Sequence, residues 1–244
     1  METSCHRCPT YKSCIWSQLG AEQHERIRRN VNMQPHYERG RHLFHAGEPF
    51  RLLYILRSGS LKTWRNTEDG GEYIIRFYSP GHVVGLDAIS TGIHHSTATM
   101  LESSSLCMIS YTQLQNLADA ISGINQLMLQ HMSQEILQTE QLMYMRGNMS
   151  AAARLASFLY DLSMDYKARG YSAEVFNLTM DRGEIANHLG LAIETVSRTL
   201  SHFKHEGTLR VFGKQIEIKD KNRLMGYRRL PAGESHHEAS IRTH

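Results

Sequence analysis

Thr179-Met180-Asp181-Arg182-Gly183-Glu184-Ile185-Ala186-Asn187-His188-Leu189-Gly190-Leu191-Ala192-Ile193-Glu194-Thr195-Val196-Ser197-Arg198 is the stretch on which the fold turns. Its first half predicts a short helix, with Thr179 as N-cap and Asp181 near the positive helix end. Gly190-Leu191-Ala192 makes a short turn in which Gly190 can take positive φ. A second helix is expected over residues 193–206, with Ile193, Val196, Leu200 and Phe203 facing inward. Small Ala186 lets the two helices cross closely. Gly207 ends the second helix, and Leu209–Phe212, Gly213 and Gln215–Ile218 read as a hairpin. Together these elements are a helix-turn-helix with a wing.

The outward face of the second helix carries Glu194, Ser197, Arg198 and Ser201. Those are residue types that read base edges: Arg pairs with guanine, Glu accepts from the cytosine amino group, and Ser suits several partners. The competing reading is a plain polar surface in which Glu194 and Arg198 form an i,i+4 pair. Arg182, His202, Lys204, Lys214 and Lys219, with Ser201 at the margin, suit phosphate contacts, which position a domain without specifying sequence. Charge agrees: residues 146–230 hold 14 Lys and Arg against 9 Asp and Glu, whereas residues 1–145 hold 12 against 13. A basic excess confined to the C-terminal third is expected of a part that meets a polyanion.

Upstream, residues 151–166 read as a helix with Leu155, Leu159 and Leu162 on one face and Phe158 alongside. Residues 112–145 contain no Pro, no Lys or Arg, and one glycine, Gly123. There Asn125, Leu129, Met132, Ile136, Thr139 and Met143 recur at spacings of four and three, a heptad seam that keeps one helix face toward a partner helix. A second stripe, Ile121, Ile124, Leu127 and Met128, suits packing on the preceding domain. A helix buried in its own domain is the alternative to a dimerisation helix. Polar Asn125 and Thr139 interrupt the seam, and methionine packs adaptably, which suits a conditional homodimer.

Between residues 40 and 110 the pattern changes to short apolar runs, at 52–56, 61–64, 73–78, 97–101 and 106–110, separated by Gly-containing turns. This spacing predicts an antiparallel sandwich or roll, with Asp69-Gly70 as a hairpin turn. Such a domain can hold an effector, but no Lys or Arg occurs between Arg76 and Arg146. A buried phosphate needs a fixed cation or a helix N-terminus, and Asp87 would repel it. His94-His95 suits an exposed loop, or an anion or metal site.

Three of the four cysteines, Cys5, Cys8 and Cys14, fall within ten residues; the fourth, Cys107, sits in a predicted strand. A C-x2-C-x5-C loop wraps its thiolates round one soft centre and leaves a position for a distant ligand. Arg7 and Lys12 would lower the thiol pKa values. Zinc and an iron–sulfur cluster both suit four thiolates, and cysteines in a floppy tail are the third possibility. The remaining composition, 41% hydrophobic and 21% charged over 244 residues, is that of a globular protein of one large or two ordinary domains. No apolar run is long enough for a membrane span and no secretory signal opens the chain, so a cytoplasmic protein is expected. No nucleophile–base pair or open metal position is visible, so no enzyme is expected.

These features, in this order, resemble the Crp/Fnr superfamily of transcription regulators, and within it the oxygen-sensing FNR group. C-x2-C-x5-C with Cys107, joined to Glu194-Thr195-Val196-Ser197-Arg198, carries the resemblance, which spans Cys5 to about Met225. It implies an α+β chain: a cysteine-rich arm over 1–20, a jelly-roll-like, cyclic-nucleotide-binding-domain-like β-roll over 21–111, and a dimerisation helix over 112–146. A winged helix-turn-helix over 147–228 and a disordered tail over 229–244 complete it. The resemblance further implies a 4Fe-4S cluster on Cys5, Cys8, Cys14 and Cys107, with structural zinc and small-molecule gating as the alternative. Glu194, Ser197 and Arg198 would read a TTGAT-type half-site, a homodimer would span an inverted repeat, and loops of the roll would contact RNA polymerase. The cyclic-nucleotide branch has an Arg-Ser pair where this chain has His95-Ser96, so no cyclic nucleotide is expected. Ala192 departs from the Thr or Ser common at the cap before the reading helix.

Overall fold

A computed structural model describes Cys8 and residues 10–228; Cys5 and the tail from residue 229 lie outside the described residues. The chain divides into two compact units, one ending at Glu135 and one beginning at Ile136.

Among the described residues, the first unit opens with two single-turn helices, Tyr11–Ser13 and Ile15–Gln18, then α1 (Ala21–Arg28). Eight strands follow: β1 (Asn32–Tyr37), β2 (His42–Phe44), β3 (Leu52–Ser58), β4 (Leu61–Asn66), β5 (Glu72–Tyr78), β6 (Val83–Val84), β7 (Thr97–Met100) and β8 (Ser104–Ser110). They form two antiparallel sheets, ordered β1-β8-β3-β6 and β2-β7-β4-β5. Every apolar run read as a strand is one, and Asp69-Gly70 lies in the β4–β5 hairpin. Strands β1, β2 and β6 escape the sequence pattern: β1 contains Pro35, β2 is short with an exposed histidine, and β6 is two residues long.

Alternation along β3 and β8 explains the layering, since successive side chains leave opposite faces of a strand. Tyr54, Leu56 and Leu106 join Phe44, Leu61, Ala98 and Met100 in a core fed by both sheets. Leu53, Ile55 and Ile109 face the other way and meet Ile15, Trp16, Ile27, Leu114, Leu117, Ile121, Ile124 and Leu127. Helices therefore cover one sheet, and each fully buried Leu or Ile there contributes about 1.5–3 kcal/mol.

The uninterrupted helix expected over 112–146 is two helices. Ser110 caps α2 (Tyr111–Ala120) in a capping box with Gln113. The chain then turns extended at Ile121, Gly123 takes φ 100°, and α3 (Ile124–Asn148) begins anew. A positive φ is open to glycine at no steric cost, so the one glycine of the stretch marks the break.

The second unit holds the rest of α3, then α4 (Ala151–Ala168), β9 (Val175–Asn177), α5 (Arg182–Leu189), α6 (Ile193–His205), β10 (Leu209–Phe212), β11 (Gln215–Ile218) and α7 (Lys221–Tyr227). The wing gains a third strand, in the order β10-β11-β9. Among the described residues no helix is long and apolar enough to cross a membrane.

Candidate nucleic-acid interface, seam and thiol arm

Helix α5 starts at Asp181, not Thr179. The Asp181 carboxylate accepts from the Glu184 N–H and the Glu184 carboxylate accepts from the Asp181 N–H, each at 2.8 Å. A reciprocal Asp-x-x-Glu box satisfies two otherwise orphaned amides, which outcompetes a lone threonine cap. Gly190 ends α5 at φ 64°. Arg146 Nε donates to the His188 carbonyl at 3.1 Å and Arg154 Nη1 to the Leu189 carbonyl at 3.2 Å. Two cations thus sit on the negative end of α5 and fix the turn that leads into α6.

Val196, Leu200 and Phe203 bury the inner face of α6. Ile193 does not join them; it is 46% exposed. The first residue of a helix precedes the turn against which its own stripe packs, and here it lies beside the outward residues instead. Glu194, Arg198 and Ser201 are exposed and Ser197 is half-buried. Arg198 Nη2 donates to Thr195 Oγ1 at 3.4 Å, and among the described residues no ion pair joins it to Glu194. Arg182 reaches across from α5 to donate to Ser197 Oγ at 3.3 Å, which draws Arg182 to the outward face of α6. Ser201 donates back to the Ser197 carbonyl at 2.9 Å. Ala192 provides no side-chain cap.

The other phosphate candidates differ in their ties. Lys204 is exposed. Lys214 Nζ at the wing tip donates to the Thr179 carbonyl at 3.2 Å. His202 Nε2 is 3.2 Å from Tyr227 Oη. Lys219 pairs with Glu217 at 2.9 Å and lines a cleft of about 530 Å³ with Lys167 and Lys221.

All six seam positions on α3 are exposed: Leu129 67%, Met132 36%, Ile136 59% and Met143 68%, together with Asn125 and Thr139. The second stripe is spent as expected. Ile121, Ile124 and Leu127 are buried, and Met128 packs on the same cluster. Glu135, on α3, pairs with Arg76 of β5, and Arg76 lies 5.2 Å over the Tyr78 ring. Burial raises the Glu135 pKa against the pull of Arg76.

The described part of the arm, from Ser13 to Trp16, is docked on the roll. Ile15 and Trp16 are buried in the helix-covered core. Gly81, at φ 103°, lets the Ser13 backbone come so near that a Cβ would lie 2.5 Å from the Ser13 carbonyl oxygen. Cys8, Cys14 and Cys107 are each half-buried, and Cys14 and Cys107 border the same apolar cluster. Burial pushes the Cys8 thiol up, but a 3.1 Å contact with Thr10 Oγ1 and the Arg57 guanidinium outweigh it, so its pKa is lowered. The sequence assigned that role to Arg7, which lies outside the described residues, and to Lys12. Arg57 was legible only through alternation along β3, where it follows Leu53 and Ile55 on the face that Cys107 shares opposite Ile55. Among the described residues no group of three or more His, Cys, Asp or Glu is gathered to hold a metal ion. The donor chemistry still fits a soft centre: partly shielded thiols, an adjacent cation and an apolar border.

Residues 153–227 match the Crp-like helix-turn-helix domain family, and residues 34–120 the cyclic nucleotide-binding domain family. The chain is 38% identical over 216 residues to the anaerobic regulatory protein of Pasteurella multocida, covering 88% of this chain and 79% of that protein. It is 37% identical over 220 residues to the fumarate and nitrate reduction regulatory protein of Escherichia coli, covering 90% and 88%. In fold it is similar to FixK2 of Bradyrhizobium japonicum, with a TM-score of 0.73, 26% identity, and 81% and 96% of the two chains covered. The chain therefore belongs to the Crp/Fnr family of DNA-binding transcription regulators, alongside the fumarate and nitrate reduction regulators.

Proposed function

We propose that this chain is an oxygen-responsive, cytoplasmic transcription regulator that grips an inverted repeat as a homodimer and acts through RNA polymerase. The observation that carries the reading is the exposed seam of α3, on a helix whose other apolar stripe is already buried. A second copy of the same helix is the self-complementary cover for such a row. Each chain then presents one reading face, with Arg198 and Glu194 for base edges, Ser197 set by Arg182, and Ile193 for a thymine methyl. The resemblance supplies the TTGAT-type half-site. One half-site held by a few contacts is weak, whereas two linked half-sites gain orders of magnitude through effective concentration. A shift of ~3 kcal/mol in pairing changes occupancy roughly a hundredfold.

Cys5, Cys8, Cys14 and Cys107 would hold a 4Fe-4S cluster, which when bound supplies the oxygen-reactive centre. Arg57 offsets negative charge beside Cys8. Cys14 and Cys107 border the cluster of side chains that also receives Ile121, Ile124, Leu127 and Met128. Any strain at those thiols therefore reaches the first turns of α3, directly behind the seam. The names of the anaerobic and nitrate-reduction relatives support this reading.

Cys107→Ala tests it. The variant is expected to keep its fold by circular dichroism, retain no iron, and lose about a hundredfold in anaerobic affinity for an inverted repeat. Intact anaerobic DNA binding would overturn the reading. Colourless, zinc-loaded wild-type protein whose pairing ignores air would point instead to small-molecule gating.

A further inference from the structure

The roll belongs to a family of nucleotide-binding domains, yet the corner that offers anion donors is already occupied from within. Gly85, at φ 101°, passes so close to β3 that a Cβ would lie 3.3 Å from the Leu52 carbonyl oxygen. The turn Leu86–Ala88 that follows aims Asp87 at the bend formed by His94, His95 and Ser96. Asp87 Oδ2 accepts from the His95 N–H at 2.9 Å, the Ser96 N–H at 3.1 Å and the Ser96 hydroxyl at 3.0 Å. Asp87 Oδ1 lies 3.4 Å from His94 Nδ1.

That bend is rigid. His94 is 3% exposed, stacked on Phe44 with centroids 3.6 Å apart and edge-on to Phe50 at 5.7 Å. Arg65 Nε donates to the His95 carbonyl at 2.6 Å, and His95 Nε2 is 2.8 Å from Thr91 Oγ1. Two successive amides, a hydroxyl and an imidazole therefore converge on one carboxylate, with a guanidinium nearby. Consecutive backbone N–H groups of this kind form an anion nest. Burial disfavours the Asp87 charge, yet these donors hold its carboxyl below the usual carboxylate range.

We infer that Asp87 is the internal anion of this domain, seated in a site that otherwise fits a phosphate-type oxyanion. The roll thus carries its own ligand, and a phosphorylated effector finds its donors taken. This deepens the expectation that Asp87 merely repels phosphate: the carboxylate substitutes for the anion as well as excluding it. The inference stands on the roll and does not depend on what the cysteines bind.

The test is chemical rescue in the full-length chain. Asp87→Ala is expected to unfold at lower temperature than wild type in chloride buffer. Inorganic phosphate or acetate, added at constant ionic strength, should restore its Tm along a saturable curve, and calorimetry should show it binding phosphate at least about tenfold more tightly than wild type does. Asp87→Asn fills the same space without charge and should show no saturable response. Equal phosphate responses in wild type and Asp87→Ala would overturn the inference, as would an Asp87→Ala protein insensitive to both anions. If Asp87→Ala folds in neither chloride nor phosphate, the carboxylate is structural only and the inference is wrong. Recovery of folded variant in phosphate alone would support it.

Discussion

Helices α3 and α6 face solvent with opposite chemistry. On α6 the apolar stripe, apart from Ile193 at the helix start, is spent inside its own unit, and the middle of the outward face is a guanidinium, a carboxylate and hydroxyls. On α3 the apolar residues of the first turns are spent, and another, longer row is left outside. Polar donors and acceptors in water lose little by waiting and gain when base edges replace water at matched positions. A row of Leu, Met and Ile has only one favourable outcome, contact with another apolar surface, because the gain scales with apolar area removed from water. The leftover chemistry of α6 suits the DNA of a Crp/Fnr regulator, and that of α3 suits the second protein chain proposed for it.

The sharpest way to break this contrast is to make α3 resemble α6. Ile136→Glu removes an apolar contact twice across a two-fold seam and sets two carboxylates against each other. It should weaken pairing by on the order of 4 kcal/mol, about a thousandfold, in sedimentation equilibrium. Because Ile136 is exposed, the thermal midpoint of the single chain should hardly move.

On α6 the corresponding change is smaller. Arg198→Ala should cost about 1–3 kcal/mol on the matched operator and relax selectivity at one base pair, read by binding titrations on a set of single-base operator variants. Equal losses on matched and mismatched sites would demote Arg198 to a phosphate contact. Ala192→Ser works in the stabilising direction: a serine oxygen at the uncapped start of α6 should add about 1 kcal/mol to the thermal stability of the second unit. Lys204→Ala is the mildest. It should weaken all sequences alike and flatten the salt dependence of binding by about one phosphate contact.

The same contrast explains what was legible in the sequence. Both helices announced their faces through spacing, and the residues on those faces fell where the period put them. Ile193 did not, because a period assigns a face but not the depth of a helix end. The break at Gly123 was missed because a stretch free of proline and rich in helix formers reads as continuous. One left-handed glycine, with Ile121 and Ile124 buried on either side of it, was enough to divide it. The cap moved from Thr179 to Asp181 once Glu184 was counted as a reciprocal partner. Asp87 and Arg57 show the harder limit: alternation gives the face of Arg57, but the partners of both residues are distant in sequence and are set by strand register and loop packing.

The central claim is that the thiol arm governs whether two α3 helices pair. Its most direct test is the mass of the protein in solution, isolated without air and then exposed to it, with iron and acid-labile sulfide assayed in the same samples. The account predicts brown, iron- and sulfide-containing dimers that become monomers in air. Iron-free protein that is dimeric in both conditions would contradict it.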